Sequence, residues 1–132
     1  MRLHDYSKWL VITGAIIIVM VKYIVRPYVA ISPFFQPVVD VLPNLIGSFL
    51  MPFGACWFLK KLFIPRTIKD LQTICLLGLI LLIINEYLQL IPVFRRTFDY
   101  LDILFSFVGI LLGYVVFARL LVTAQLRKPA SI

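Results

Sequence analysis

The sequence predicts an all-α membrane protein, a membrane-spanning four-helix bundle made of two helical hairpins. Hydrophobic residues supply 62% of the 132 residues and charged residues 14%, against about 45–50% and about 25% in soluble domains. The mean hydropathy is +1.02. The apolar residues gather into four long runs, with most of the charges between them or at their ends. This composition excludes a disordered chain and argues against a water-soluble globule. The runs are unbroken and lack apolar–polar alternation, which excludes a membrane β-barrel. At 15.2 kDa the chain is expected to be one membrane domain over residues 1–132, without room for a soluble catalytic domain.

The first run extends from Trp9 to Val25, the second from Val41 to Leu59, the third from Leu71 to Phe94 and the fourth from Leu101 to Thr123. Each meets the about 17–25 residues that a spanning helix needs. Lys22 must snorkel outward from the first run. Arg2, Lys8 and the apolar stretch that follows have the outline of a signal peptide, but Lys22 and Arg26 come at once and the cleavage pattern is poor. A retained first helix is expected. In the second run, Asp40 is placed to cap the helix, with Pro43 tolerated in the first turn and Pro52 kinking the middle. Pro92 should loosen or end the third. The short connections make consecutive helices antiparallel neighbours.

The formal charge of +7 is divided unevenly. Arg2, Lys8, Lys60, Lys61, Arg66, Lys69, Arg119, Arg127 and Lys128 fall on one side; Lys22, Arg26, Arg95 and Arg96 fall on the other. Asp5 and Asp70 join the first group, and Asp40, Glu86, Asp99 and Asp102 the second. The positive-inside rule therefore puts both termini and the central loop in the cytoplasm. Trp9 and Trp57 then lie at the inner interface, and Tyr23, Tyr28, Tyr87 and Tyr100 near the outer one. Topology and anionic lipid headgroups account for the basic residues, so no nucleic-acid partner is expected. Cys56 and Cys75 sit inside apolar runs, without metal-ligand spacing, and read as small buried apolar residues. No metal or cofactor is expected.

The chemistry-bearing residues concentrate around the third and fourth helices. Glu86 and Gln89 share a helix face; Asp102, Ser106, Gly109 and Gly113 form one stripe spaced 4, 3, 4. Gly109 and Gly113 make a G-x-x-x-G, suited to close helix packing. Asp99 or Asp102 also suits the role of N-terminal cap. Glu86 is placed within the outer third of the membrane, where a charge is costly and faces the bundle. Arg95 and Arg96 are its available partners. Two readings stay open: a static ion pair locking the hairpin, or an outward-facing polar pocket for a headgroup. Asp40, Asn44 and Gly47 repeat the spacing of Asp102, Ser106 and Gly109, as two duplicated hairpins would. Asn44 then enters at the depth of Asp102 and joins the cluster, with Gly47 as a packing position.

These residues resemble the VanZ-like family of small membrane proteins. The family pattern is Glu-x2-Gln, then Arg, then Asp-x2-Asp-x3-Asn-x2-Gly-x3-Gly. Here it reads Glu86, Gln89, Arg96, Asp99, Asp102, Ser106, Gly109 and Gly113, with Arg95 as an extra arginine. Ser106 is the departure, because the family usually has Asn there. The resemblance covers roughly residues 84–113. It implies a multi-pass protein of the bacterial cytoplasmic membrane acting at the envelope, in a family named for raised resistance to the glycopeptide teicoplanin. It brings no established biochemical activity.

His4 is the one histidine, and it lies far from the cluster in the chain. No phosphate loop or Ser/His/Asp arrangement is present. The leading expectation is a non-enzymatic protein that binds a lipid, a lipid-linked cell-wall precursor headgroup or a membrane partner at Glu86, Gln89, Arg95, Arg96, Asp99, Asp102, Ser106 and Asn44. The alternatives are an enzyme on a lipid-linked substrate with Glu86 and Asp102 as acid and base, or a small ion-coupled carrier using Glu86, which would need a homodimer.

Overall fold

The computed structural model describes residues 2–60, 65–88, 90–91 and 99–126, and every regular element among them is helical. Helix α1 spans Leu3–Tyr28, α2 Gln36–Phe49, α3 Met51–Phe58, α4 Ile68–Leu88 and α5 Tyr100–Leu126. Three of these, α1, α4 and α5, are long and apolar enough to cross a membrane. The pair α2 and α3 passes the same test as a unit bent by 43°.

Proline accounts for each irregularity. Pro27 has no N–H to return to the preceding turn, and just before it the ladder of α1 widens into a π-helical stretch, Val21–Val25. Lys22 lies in that stretch with its side chain outward. Pro52 opens α3 immediately after the break at Leu50, so the kink expected at Pro52 is present.

The start of the second run differs from the sequence reading. α2 begins at Gln36, with Pro37 in its first turn. Asp40 therefore lies inside the helix and is not its cap. Pro43 is interior too, not part of the first turn. Lacking an N–H, Pro43 cannot bond the Val39 carbonyl one turn back. The Arg26 guanidinium supplies that donor from α1, with Nη2 3.4 Å from the Val39 oxygen. A cation thus replaces a missing backbone donor.

α4 starts on a capping box. Thr67 Oγ1 accepts the Asp70 N–H at 3.2 Å, and Asp70 Oδ2 accepts the Thr67 N–H at 3.0 Å. α4 as described stops at Leu88, short of Phe94, with turn hydrogen bonds through Leu90 and Ile91. Pro92 lies outside the described residues. α5 starts on Asp99, whose Oδ1 accepts the Leu101 N–H at 2.9 Å. The capping reading of Asp99 therefore holds.

α5 is the central helix, packed on α2, α3 and α4 and lightly on α1. α4 and α5 run antiparallel: Gln72 reaches Tyr114, and Gln125 Nε2 donates to the Arg66 carbonyl at 2.6 Å. The apolar core gathers where α3, the first half of α4 and the second half of α5 meet. Phe53 and Phe117 stack edge-on there with centroids 5.2 Å apart, beside Leu71, Cys56, Cys75, Ile110 and Leu121.

Glycine sets how closely the backbones approach. A Cβ on Gly109 would strike Ser48 Oγ and the Leu45 carbonyl, and one on Gly113 would strike the Phe49 carbonyl. The G-x-x-x-G therefore seats α5 directly on the α2 backbone. Gly47 does not behave this way. It is exposed, and the nearest atom to an added Cβ is Ile18 Cδ1 at 3.9 Å. The small residue that meets Gly109 is Ser48, whose hydroxyl is turned back onto the Asn44 carbonyl at 2.7 Å. Gly14 and Gly78 were not singled out in the sequence. They receive the side chains of Leu50 and Met51, the two residues at the kink.

Candidate functional site

A groove of about 750 Å³ opens at the end of the bundle where α1 finishes and α2 and α5 begin. Three helices line it. Arg26 comes from α1, Gln36 and Asp40 from α2, and Asp102 from the first turn of α5, with Asp99 just before it. Ile31, Pro33, Pro37, Val41 and Leu101 supply the apolar wall.

The local chemistry explains each placement. Gln36 and Asp40 are one turn apart, and Gln36 Nε2 donates to Asp40 Oδ1 at 3.2 Å. Arg26 Nε lies 3.5 Å from the same oxygen. Its Nη2 also donates to the Asp40 carbonyl. The guanidinium is therefore engaged in joining the end of α1 to α2. Asp99 and Asp102 stand at the N-terminal end of α5. Among the described lining residues the groove holds three carboxylates and one guanidinium.

The sequence-predicted residues separate into two groups. Asp99 and Asp102 line the groove. Glu86 and Ser106 do not; they meet in a narrow crevice between α4 and α5 walled by Leu79, Leu82, Ile83 and Ile103. Glu86 is 6% exposed and Ser106 3%. The glutamate thus faces the helix interface, as its cost in lipid requires, but its crevice is lined apart from the groove. Asn44 is half-buried one turn beyond Asp40 and lines neither space. Gln89, Arg95 and Arg96 lie outside the described residues.

No protein-family model, no curated protein and no solved structure matches this chain.

Arg26 and Gln36 are site residues that the sequence reading missed. Arg26 was counted only for topology and against a signal peptide. A cation followed by proline at the end of an apolar run, facing a chain segment rich in Pro, Gln and Asp, was the available signal. Among the described residues no set of His, Cys, Asp and Glu is grouped to hold a metal ion. The three aspartates line one groove.

Proposed function

We propose that the chain crosses the bacterial cytoplasmic membrane four times, with the α2–α3 pair as one bent span and both termini inside. Its outward groove binds the polar headgroup of a lipid or lipid-linked cell-wall precursor. The combined length and apolar character of the α2–α3 pair and the surplus of Lys and Arg at the opposite end support this topology. The observation that carries the binding reading is the convergence of Arg26, Gln36, Asp40, Asp99 and Asp102 from three helices on one open groove. Its volume falls within the about 300–1,000 Å³ of small-ligand sites.

Carboxylates accept hydrogen bonds and attract cations. Arg26 is held by Asp40 and two carbonyls. The groove therefore suits hydroxyl or ammonium groups, as on a sugar or amino sugar. Arg96 precedes Asp99 by three residues in the chain and is the cation expected to meet a phosphate. The VanZ-like pattern of residues 86–113 supports an envelope role and a link to glycopeptide resistance. Glu86 lies in a separate crevice, so the geometry does not favour a Glu86–Asp102 acid–base pair acting on one substrate.

The test uses the whole protein in nanodiscs with the lipid extract of a bacterial membrane, read by native mass spectrometry. The intact protein should retain a species bearing a sugar or amine headgroup, and Asp102→Asn should lower its retention about tenfold, the effect of one hydrogen bond to a charged group. Equal retention by both proteins would refute the reading. Asp99→Asn separates the roles of that residue, because Asn caps a helix as well as Asp does.

A further inference from the structure

The other end of the bundle carries a smaller cavity, about 290 Å³, walled by Arg2, Leu3, His4 and Asp5 of α1 and its flank and by Cys56 and Lys60 of α3 and the turn after it. We propose that this cavity is a binding site for the phosphate of an anionic phospholipid.

Two cations from separate elements face one space here. The Arg2 fork can take two phosphate oxygens at once, and Lys60 adds a compact charge from the opposite wall. The single acidic residue of the wall, Asp5, lies against His4, with Nδ1 and Oδ1 3.4 Å apart. The positive end of α1 lies over the same space and adds to the field. Arg2 of this cavity and Arg26 of the groove lie near opposite ends of α1, about 36 Å apart at 1.5 Å per residue.

The surroundings favour a lipid over free phosphate. Trp9 is 58% exposed on the next turn of α1, with Lys8 Nζ 5.9 Å from its ring centre. Trp57 stacks on Phe58 at 4.3 Å at the end of α3. Tryptophans beside lysines mark the level at which headgroups lie. A phosphate bound between Arg2 and Lys60 would leave its acyl chains free to pack along α1. The site is distinct from the outward groove and does not depend on what that groove binds.

The test is lipid titration of the full chain by native mass spectrometry, with phosphatidylglycerol and phosphatidylcholine as probes. Phosphatidylglycerol should bind more tightly. Arg2→Gln and Lys60→Gln should each weaken it about fivefold, the effect of one cation near an anionic headgroup. Lys69→Gln, which removes a charge at the same end but off the cavity, should leave it unchanged. All three positions are exposed, and circular dichroism verifies that the variants fold. Equal binding of the two lipids overturns the proposal. So does an equal loss in Lys69→Gln, which would mark a diffuse surface field. Displacement of the lipid by millimolar inorganic phosphate would assign the site to free phosphate and overturn the lipid assignment.

Discussion

Gly47 and Gly109 occupy corresponding places in the two Asp-x3-Asn/Ser-x2-Gly segments, yet alanine should act on them with opposite sign. In a helix interior alanine is favoured over glycine by about 1 kcal/mol. At Gly47 nothing opposes that gain, because the new Cβ meets only Ile18 Cδ1 at 3.9 Å. At Gly109 the Cβ would fall on Ser48 Oγ and the Leu45 carbonyl, with the Phe49 nitrogen 3.1 Å away. Backbone atoms cannot rotate aside, so α5 must lift from α2. Overpacking of this kind costs about 1–3 kcal/mol. Gly109→Ala should therefore lose up to about 2 kcal/mol net, while Gly47→Ala gains up to about 1. Reversible unfolding in micelles by added dodecyl sulfate, followed by circular dichroism, measures the pair. The double variant Gly109→Ala/Gly113→Ala should lose less than the two singles together, since one displacement relieves both contacts. Shifts of the same sign at positions 47 and 109 would refute the seating of α5 on the α2 backbone.

Three further outcomes follow from the same geometry. Arg26→Gln should cost about 1 kcal/mol in the native chain and less in a Pro43→Ala background, where the substituted alanine offers its own N–H to the Val39 carbonyl; a double-mutant cycle showing no coupling would contradict this. Thr67→Ala should cost about 1 kcal/mol by opening the capping box with Asp70, whereas Thr67→Ser should be nearly neutral in the same unfolding assay. Cysteines introduced in place of Arg66 and Gln125 should be joined by a short bifunctional thiol reagent, because Gln125 bonds the Arg66 carbonyl; failure to cross-link would contradict the antiparallel closure of α4 on α5.

The helical class, the apolar spans and the kink at Pro52 were legible because each follows from local composition. So was the Gly109/Gly113 seam, which is a repeat along one helix. The Asp99 cap was legible as one of two readings. What remained hidden depends on partners distant in the chain. Gly14 and Gly78 gain their meaning from Leu50 and Met51, and no spacing along α1 or α4 announces that. The start of α2 was set five residues late because Gln36, Pro37 and Asp40 look like loop composition; Pro37 in a first turn and the Gln36–Asp40 pair were the overlooked signals. Arg26 was hidden because its role arises from Pro43, seventeen residues later, which removes a donor that only a neighbouring helix can replace. The two similarly spaced segments share the groove through Asp40 and Asp102 but part at their glycines, one exposed and one buried.

Thiol labelling in intact cells tests the outward groove most directly. In a chain with Cys56 and Cys75 replaced by alanine, a cysteine in place of Asp102 should react with a membrane-impermeant maleimide from outside. One in place of Lys60 should react only after the membrane is permeabilised. The reverse pattern, or a residue 102 that stays unreactive in both conditions, would contradict a polar groove open to the exterior.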